Sequence, residues 1–337
     1  MELTFVGSTT RIVDIEEPTQ VGQARRVAQQ AAVEAGFDDT DSGRVALIAT
    51  ELATNLLKHA KSGAVHVAAV PGDGARGVEV VAVDRGPGFN LAECLADGFS
   101  TGGTRGEGLG AVSRQADVMD MYADGRGSVV MARIYPKGFG RADLLFAATQ
   151  QTMDSEPVCG DAWAVAVRGG QRAFLVVDGL GHGLSAHDAA RAGTSAFVGQ
   201  PFDEPVGLMK SLHDAMAGTR GGAVAVAQYD AATDTLRYAG IGNISGSLAT
   251  LEGSRGLASH PGIVGVQTRR AQPFDFPGVR GKLMVMWSDG LMSRWNLRDY
   301  PGLASRHPAV VTALLHRDFN RGRDDVTLLA ARLGADP

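Results

Sequence analysis

Apolar positions in the first third of the chain switch between a period of two and a period near 3.6. Residues 3–15 read as two short strands around the Gly-Ser-Thr-Thr at 7–10. Residues 20–36 carry apolar side chains at helical spacing and stop at Gly36. A second helix is expected over 43–60, with N-cap candidates from Asp39 to Ser42. Strands at 64–70 and 77–84 flank a Gly-rich turn, and a loop-rich segment fills 85–107. A helix at 108–118 and strands at 119–123 and 127–135 follow. Helices interleaved with a mixed or antiparallel sheet give an α/β layer pattern.

The stretch 135–141, Tyr-Pro-Lys-Gly-Phe-Gly-Arg, is rich in breakers and marks the expected domain boundary. Two domains are expected, 1–137 and 142–334. Beyond the boundary the pattern changes to strand pairs. Residues 161–167 and 172–178 flank one turn, and 223–230 and 235–242 flank another. Strands at 282–289 and 325–333 complete the set, with helices near 184–198, 205–217 and 308–317. The fold class expected is α/β (α+β), with no internal repeat.

Bulk properties narrow the classes. A length of 337 residues suits two domains, and 44% hydrophobic residues supply two cores. The net charge of −5 leaves no basic footprint for nucleic acid. Cys94 and Cys159 have no metal-type spacing, so a reducing interior is the natural reading. No apolar run nears the roughly 18 residues of a membrane helix. The N-terminus lacks a basic start and a long apolar segment, so no signal peptide is expected. A cytoplasmic protein without membrane or nucleic-acid partners is the expectation. Glycine, 45 of 337 residues, is about twice its usual share and gathers in loops after apolar strands.

Three stretches of the first domain carry chemistry. Glu51 and Asn55 are four apart on one helix face, with Lys58 and His59 a turn further on. A carboxylate, an amide oxygen and an ammonium on one stripe suit a magnesium-bound phosphate chain. A solvated helix face fits this stretch alone equally well. Asp84-Arg85-Gly86-Pro87-Gly88 ends a strand with a carboxylate able to accept the exocyclic amine of adenine. Taken alone, this pattern is more often a turn. Residues 100–112, Ser-Thr-Gly-Gly-Thr-Arg-Gly-Glu-Gly-Leu-Gly-Ala-Val, run a Gly-rich loop into a helix, whose free N–H groups attract phosphate.

In that order and spacing, the three stretches resemble the GHKL ATP-binding fold, a two-layer α/β sandwich shared by histidine kinases, anti-sigma factor kinases and gyrase-type ATPases. The resemblance covers about residues 1–135. It implies that Glu51 and Asn55 hold Mg²⁺ and that Lys58 and His59 lie near the nucleotide. It further implies that Asp84 binds adenine with Gly86 and Gly88 beside it, and that Gly106, Gly108 and Gly110 cap the phosphates. Glu51 also resembles the general base of the serine-kinase branch. The match is most similar to the RsbT-type stressosome kinase, which implies Ser/Thr phosphorylation of STAS-domain partners. The short stretch from Gly88 to Gly106 implies little ATP lid.

The second domain places carboxylates at strand ends. Asp178 ends an apolar strand, and Gly179 exposes its carbonyl beside it. Asp161 opens one strand, Asp289 ends another, and Asp324 opens the last. Any one of them alone is more often a turn residue or a helix cap. Clustered acids repel unless cations neutralise them. Four carboxylates and a carbonyl form an oxygen cage for two Mg²⁺ or Mn²⁺ ions about 3.5–4 Å apart, able to activate water for attack on phosphorus. His182 and His187 have no third ligand near them, so a surface or supporting role suits them better than zinc.

The joint pattern of Gly160-Asp161, Asp178-Gly-Leu-Gly-His-Gly183, Ser288-Asp289-Gly290 and Asp324-Asp325-Val-Thr327 resembles the SpoIIE/RsbX-type metal-dependent Ser/Thr phosphatases, a β-sandwich flanked by helices. The resemblance spans about residues 142–333. It implies that Asp178 bridges both metals, that Gly179 gives its carbonyl, and that Asp161, Asp289 and Asp324 complete the shell. Asp325 stands where Asn is common and is less secure as a ligand. The Gly-Ile-Gly-Asn at 240–243 also resembles that branch and is expected to support the core. No counterpart of the eukaryotic members' phosphate-binding arginine stands out.

Together these readings imply a partner-switching enzyme with opposed kinase and phosphatase activities. Two such activities on one site would waste ATP, so distinct phosphosites or gating of one domain by the other is expected. The alternatives are an ATP-dependent module that sequesters a sigma factor or another output protein, and a retired kinase that senses ATP and controls the phosphatase.

Overall fold

The computed structural model describes residues 2–89, 107–139, 143–154, 156–250, 253–268 and 271–334. The chain divides into two compact units that are not contiguous in sequence. The first comprises Thr10–Leu144 and Ser305–Arg317; the second comprises Met1–Thr9, Leu145–Ala304 and Asp318–Asp336. The two N-terminal strands expected around residues 7–10 both form, but in different units. β1 (Glu2–Val6) is an edge strand of the second unit, and β2 (Arg11–Ile15) opens the first.

In the first unit, β2 is followed by α1 (Pro18–Glu34), α2 (Asp39–Asn55), β3 (Gly63–Pro71), β4 (Arg76–Asp84), α3 (Glu107–Gln115), β5 (Val118–Asp124) and β6 (Gly127–Ile134). The sheet runs β2-β3-β4-β6-β5, with every pair antiparallel. Helix α2 starts earlier than expected, because the Asp38 side chain, not one at 39–42, accepts the Asp41 N–H at 2.7 Å. It also ends earlier. After Asn55 the backbone widens into a π-helical turn, Leu56–Ala60, and leaves it at Lys61 with φ 71°.

Strands β4 and β6 are apolar almost throughout because both faces of the sheet are covered. Val78, Val80, Ala82, Val130 and Ala132 face Ala24, Ala28, Ile48 and Leu52 of α1 and α2. The alternate positions of β3, β4 and β6 include His66, Glu79 and Arg133, all buried. Residues 305–317, which include most of α6 (Pro308–Phe319), supply partners to these groups within the unit. His316 meets the His66 ring edge to face at 5.4 Å. Arg133 donates to Glu79 at 2.7 Å and to Asp143 at 2.5 Å, and His307 meets the other Asp143 oxygen at 3.0 Å. Burial works against charge on Arg133, but the Glu79 and Asp143 carboxylates outweigh it and push its pKa up. Burial, with His316 adding to it, holds His66 down at about 3, and burial alone lowers His316 to about 4.

The second unit stacks two sheets. One runs β1, β8 (Asp161–Arg168), β9 (Gln171–Gly179), β10 (Gly222–Asp230), β11 (Thr235–Ile241) and β16 (Phe274–Pro277). The other runs β13 (Ser254–Leu257), β12 (Ser245–Ala249), β17 (Leu283–Trp287), β18 (Val326–Arg332) and β7 (Phe146–Gln151). A two-stranded ribbon, β14 (Gly262–Ile263) and β15 (Gln267–Thr268), joins the start of β10 through a bridge between Val264 and Gly222. Phe146 of β7 packs against Trp163 of β8 and Phe174 of β9, so the sheets bury their inner faces against each other. Helices α4 (Leu184–Gly199) and α5 (Pro205–Met216) cover the outer face of the six-stranded sheet through Ala189, Phe197, Leu208 and Leu212. Sandwich and flanking helices together form an α/β fold. Among the described residues no helix is long and apolar enough to cross a membrane.

Candidate functional site

In the first unit, Glu51 and Asn55 sit half-buried on the last turns of α2. Helix α3 brings Gly108 to them: a Cβ there would lie 3.2 Å from Asn55 Oδ1 and 3.4 Å from Glu51 Oε2. Among the described residues neither side chain is engaged in a hydrogen bond, so both oxygens remain available. Gly110 meets only Arg114 and lies one helical step further on. Lys58 and His59 are exposed on the π turn rather than on a continued α-helical stripe. Gly106 lies outside the described residues, as do Cys94 and the rest of 90–106, so the expectation of little ATP lid falls there as well.

Asp84 ends β4 with a buried carboxylate. Oδ1 accepts the N–H groups of Gly86 at 2.7 Å and Ser128 at 3.3 Å, and Oδ2 accepts the Ser128 hydroxyl. These donors orient the carboxylate without neutralising it. The glycines beside it are required by the protein itself. A Cβ on Gly86 would stand 2.9 Å from Ala60, and Gly88, at φ 71°, would place one 2.2 Å from the Asp124 carbonyl oxygen. Behind the strand end, Arg317 of α6 donates to the Asp84 carbonyl at 2.7 Å, and Arg85 donates to the Arg317 carbonyl.

In the second unit, antiparallel register sets Asp161 directly opposite Asp178 on β8 and β9. The Gly179 N–H bonds the Gly160 carbonyl at 3.0 Å, and a Cβ on Gly179 would strike the Ala186 carbonyl at 2.2 Å. The ends of β17 and β18 complete the arrangement. Ser288 donates to Asp161 Oδ2 at 2.6 Å and accepts the Thr327 N–H at 2.9 Å, tying both sheets together at the acidic end. Asp324 accepts the Asp325 N–H at 2.9 Å. Both oxygens of Asp325 are taken, one by the Met153 N–H at 2.8 Å and one by the Gly160 N–H at 2.7 Å. Asp325 therefore clamps the loop that carries Asp161.

The electrostatics follow from this crowding. Burial, then the charges of Asp161, Asp289, Asp324 and Asp325, push Asp178 up to about 9. Burial, with Asp325 and Asp324 adding to it against the Ser288 hydrogen bond, raises Asp161 to about 7. Burial and Asp289 raise Asp324 as well. Among the described residues, no three His, Cys, Asp or Glu side chains stand close enough to hold an ion. The donor set nonetheless suits a hard cation: it is all oxygen, mutually repelling, and short of internal positive charge.

Two supporting residues stand out, one of them inside a stretch already marked in the sequence. Asn243, the last residue of the Gly-Ile-Gly-Asn stretch, donates to Asp289 Oδ2 at 2.7 Å. It aims a candidate site carboxylate, while Ile241 of the same stretch is buried in the core. Glu156 meets His182 Nδ1 at 2.5 Å beside the Asp178 loop, while His187 Nδ1 meets the Cys159 carbonyl at 3.0 Å. The resemblance of the Gly-Ile-Gly-Asn stretch had marked Asn243; nothing local marked Glu156.

Residues 16–134 match the family described as histidine kinase-like ATPase domain, and residues 168–334 match stage II sporulation protein E, SpoIIE. The chain thus joins a histidine kinase-like ATPase domain to a SpoIIE domain. Serine/threonine-protein kinase RsbT of Bacillus subtilis (strain 168) is 33% identical over 111 residues, 32% of this chain and 84% of that protein. The chain belongs, through this first domain, to the RsbT family. Among solved structures, a chain from a study of the bacterial stressosome as a modular system adapted to control secondary messenger signaling has TM-score 0.52 at 24% identity, over 56% of this chain and 98% of that one. RsbX in complex with magnesium has TM-score 0.51 at 17% identity, over 56% of this chain and 94% of that one. These two likenesses establish a shared fold.

Proposed function

We propose that the protein is a partner-switching signalling enzyme with two opposed activities. The first domain binds Mg-ATP and phosphorylates a Ser or Thr of a STAS-domain regulator. The SpoIIE domain removes phosphate from a phospho-Ser/Thr STAS-domain regulator. The observation that carries the reading is the register that sets Asp161 opposite Asp178, with Ser288 joining the end of the second sheet to Asp161, so that acids from both sheets gather at one end.

In the SpoIIE domain, Asp161, Asp178, Asp289, Asp324 and the Gly179 carbonyl would hold two Mn²⁺ or Mg²⁺ ions. Bound there, the ions would supply Lewis acidity and charge neutralisation for attack on phosphorus. Ser288 and Asn243 orient two of the carboxylates, and Asp325 fixes the loop that bears the first. In the ATPase domain, Glu51 and Asn55 would hold Mg²⁺, Asp84 would accept the adenine amine, and Lys58 with the start of α3 would face the phosphates. Glu51 would also accept the proton of the attacking hydroxyl.

A second reading has a specific observation behind it. Arg317 holds the main chain of Asp84, and only six residues separate it in sequence from Asp324. The ATPase domain would then act as a nucleotide sensor for the SpoIIE domain rather than as a kinase. Incubation with labelled Mg-ATP and a STAS-domain protein separates the two. Under the first reading label is transferred and Glu51→Ala abolishes transfer. Under the second no label moves, yet an ATP analogue changes phosphatase rate. Asp178→Asn abolishes dephosphorylation under both, and Mn²⁺-independent dephosphorylation by that variant would refute the metal assignment.

A further inference from the structure

A phosphoserine carries about −1.5 to −2 charge near neutral pH, and a cluster of carboxylates repels it. Binding ions would cancel the acids, but a substrate phosphate still gains from a cation of its own. The loop before β10 offers one. Arg220 is exposed, and a Cβ on Gly181, three residues after Asp178, would lie 3.1 Å from its Nη1.

The main chain around Arg220 is held on both sides. Thr219 Oγ1 accepts the Gly221 N–H at 3.0 Å and itself donates to the Met216 carbonyl at 2.7 Å. The Gly221 carbonyl accepts the Leu180 N–H at 2.9 Å. Gly222 pairs with Gly179 in the ladder, and a Cβ there would strike the Asp178 carbonyl at 2.2 Å. The backbone that bears Arg220 is thereby registered to the Asp178–Leu180 turn. Among the described residues the guanidinium makes no hydrogen bond or ion pair. A surface arginine that served only solubility would need neither this anchorage nor a seat over a bare Gly181.

We propose that Arg220 captures the phosphoryl group of the substrate at the mouth of the acidic site, a step that rests on the phosphatase reading above. Its fork of N–H donors matches two oxygens of a phosphomonoester, which a lysine ammonium meets only as a point charge. Arg321 and Arg323, exposed on the loop before Asp324, are the rival cations.

The test uses full-length protein with Mn²⁺, a phosphoserine peptide, p-nitrophenyl phosphate and inorganic phosphate as inhibitor. Arg220→Ala should raise KM for the peptide and Ki for phosphate about tenfold, with kcat within about threefold. Arg220→Lys should recover part of the loss. The rise in Tm on adding Mn²⁺ should be unchanged in both variants, whereas the further rise on adding phosphate should shrink in Arg220→Ala. Wild-type protein that hydrolyses neither substrate removes the phosphatase reading and this assignment with it. Active wild type with unchanged KM and Ki in Arg220→Ala overturns the assignment alone. The same holds if Arg321→Ala or Arg323→Ala gives the tenfold loss instead.

Discussion

Asp178→Asn should make the metal-free protein more stable, not less. In the unfolded chain this carboxyl titrates near its ordinary value of 3.8, while in the folded, metal-free unit burial and four neighbouring acids push it up to about 9. A raised folded-state value means that stability is fully present below the unfolded value and is lost as pH rises toward the folded one. Each unit between 3.8 and neutral pH counts about 1.4 kcal/mol, so at pH 7 the position disfavours folding by about 4 kcal/mol. An amide of the same shape removes that penalty. A unit of this size shifts its Tm by about 2–4 °C per kcal/mol, so the variant should melt about 8–16 °C higher in EDTA at pH 7. Its stability should also vary less between pH 4 and 9 than that of the wild type. Mn²⁺ should flatten the wild-type pH dependence and raise its Tm, but leave the variant unmoved. Thermal unfolding followed by circular dichroism across that pH range, with EDTA or Mn²⁺, reads all of this. A variant that melts lower than wild type in EDTA, or keeps the full pH slope, would refute the argument from crowded charge.

Three further outcomes are expected. Asn243→Ala frees Asp289 from its only side-chain donor among the described residues and should weaken Mn²⁺ affinity about 10–100-fold by titration calorimetry, with little change in metal-free Tm. Arg133→Met leaves Glu79 and Asp143 buried without their shared cation and should destabilise the first unit by about 3–5 kcal/mol in urea unfolding. His66 and His316, lowered to about 3 and 4, are neutral when folded, so stability is present above the ordinary histidine value and falls as pH drops from about 6.5 toward 4. A His66→Phe, His316→Leu double variant should lose that acid sensitivity, measured as the pH dependence of the urea midpoint.

The strand pairs were readable because their turns are short and their period is clean. The pair at 161–167 and 172–178 folds into β8 and β9 with Asp161 opposite Asp178, as two strands joined by a tight turn must. Strands β7, β12, β13 and β16 were not foreseen, since Ser, Gly and Thr break the first three runs and Asp275 and Pro277 the last, and pairing alone defines them. Hydrophobic spacing marked the helix over 308–317, but an apolar stripe names no partner, and most of that helix completes the first unit. Gly86 and Gly88 illustrate a different limit. The sequence marks a position that rejects a side chain without telling whether a ligand or the protein's own backbone fills the space. The positions of Asp161 and Asp178 at strand ends were legible because apolar runs adjoin them. The donors that aim Asp161 and Asp289, Ser288 and Asn243, come from strands distant in sequence.

The non-contiguous makeup of the two units has a practical corollary for anyone dissecting the molecule. A cut at the Pro- and Gly-rich joint near 135–141 does not yield two whole domains. The amino-terminal fragment would lose Asp143, which pairs with Arg133, and the helix whose His316 meets His66. The carboxy-terminal fragment would lose the strand whose Phe5 packs on Trp163. A soluble half is best built by grafting: residues 305–317 returned to the kinase-like piece through a linker, and residues 1–9 returned to the SpoIIE piece.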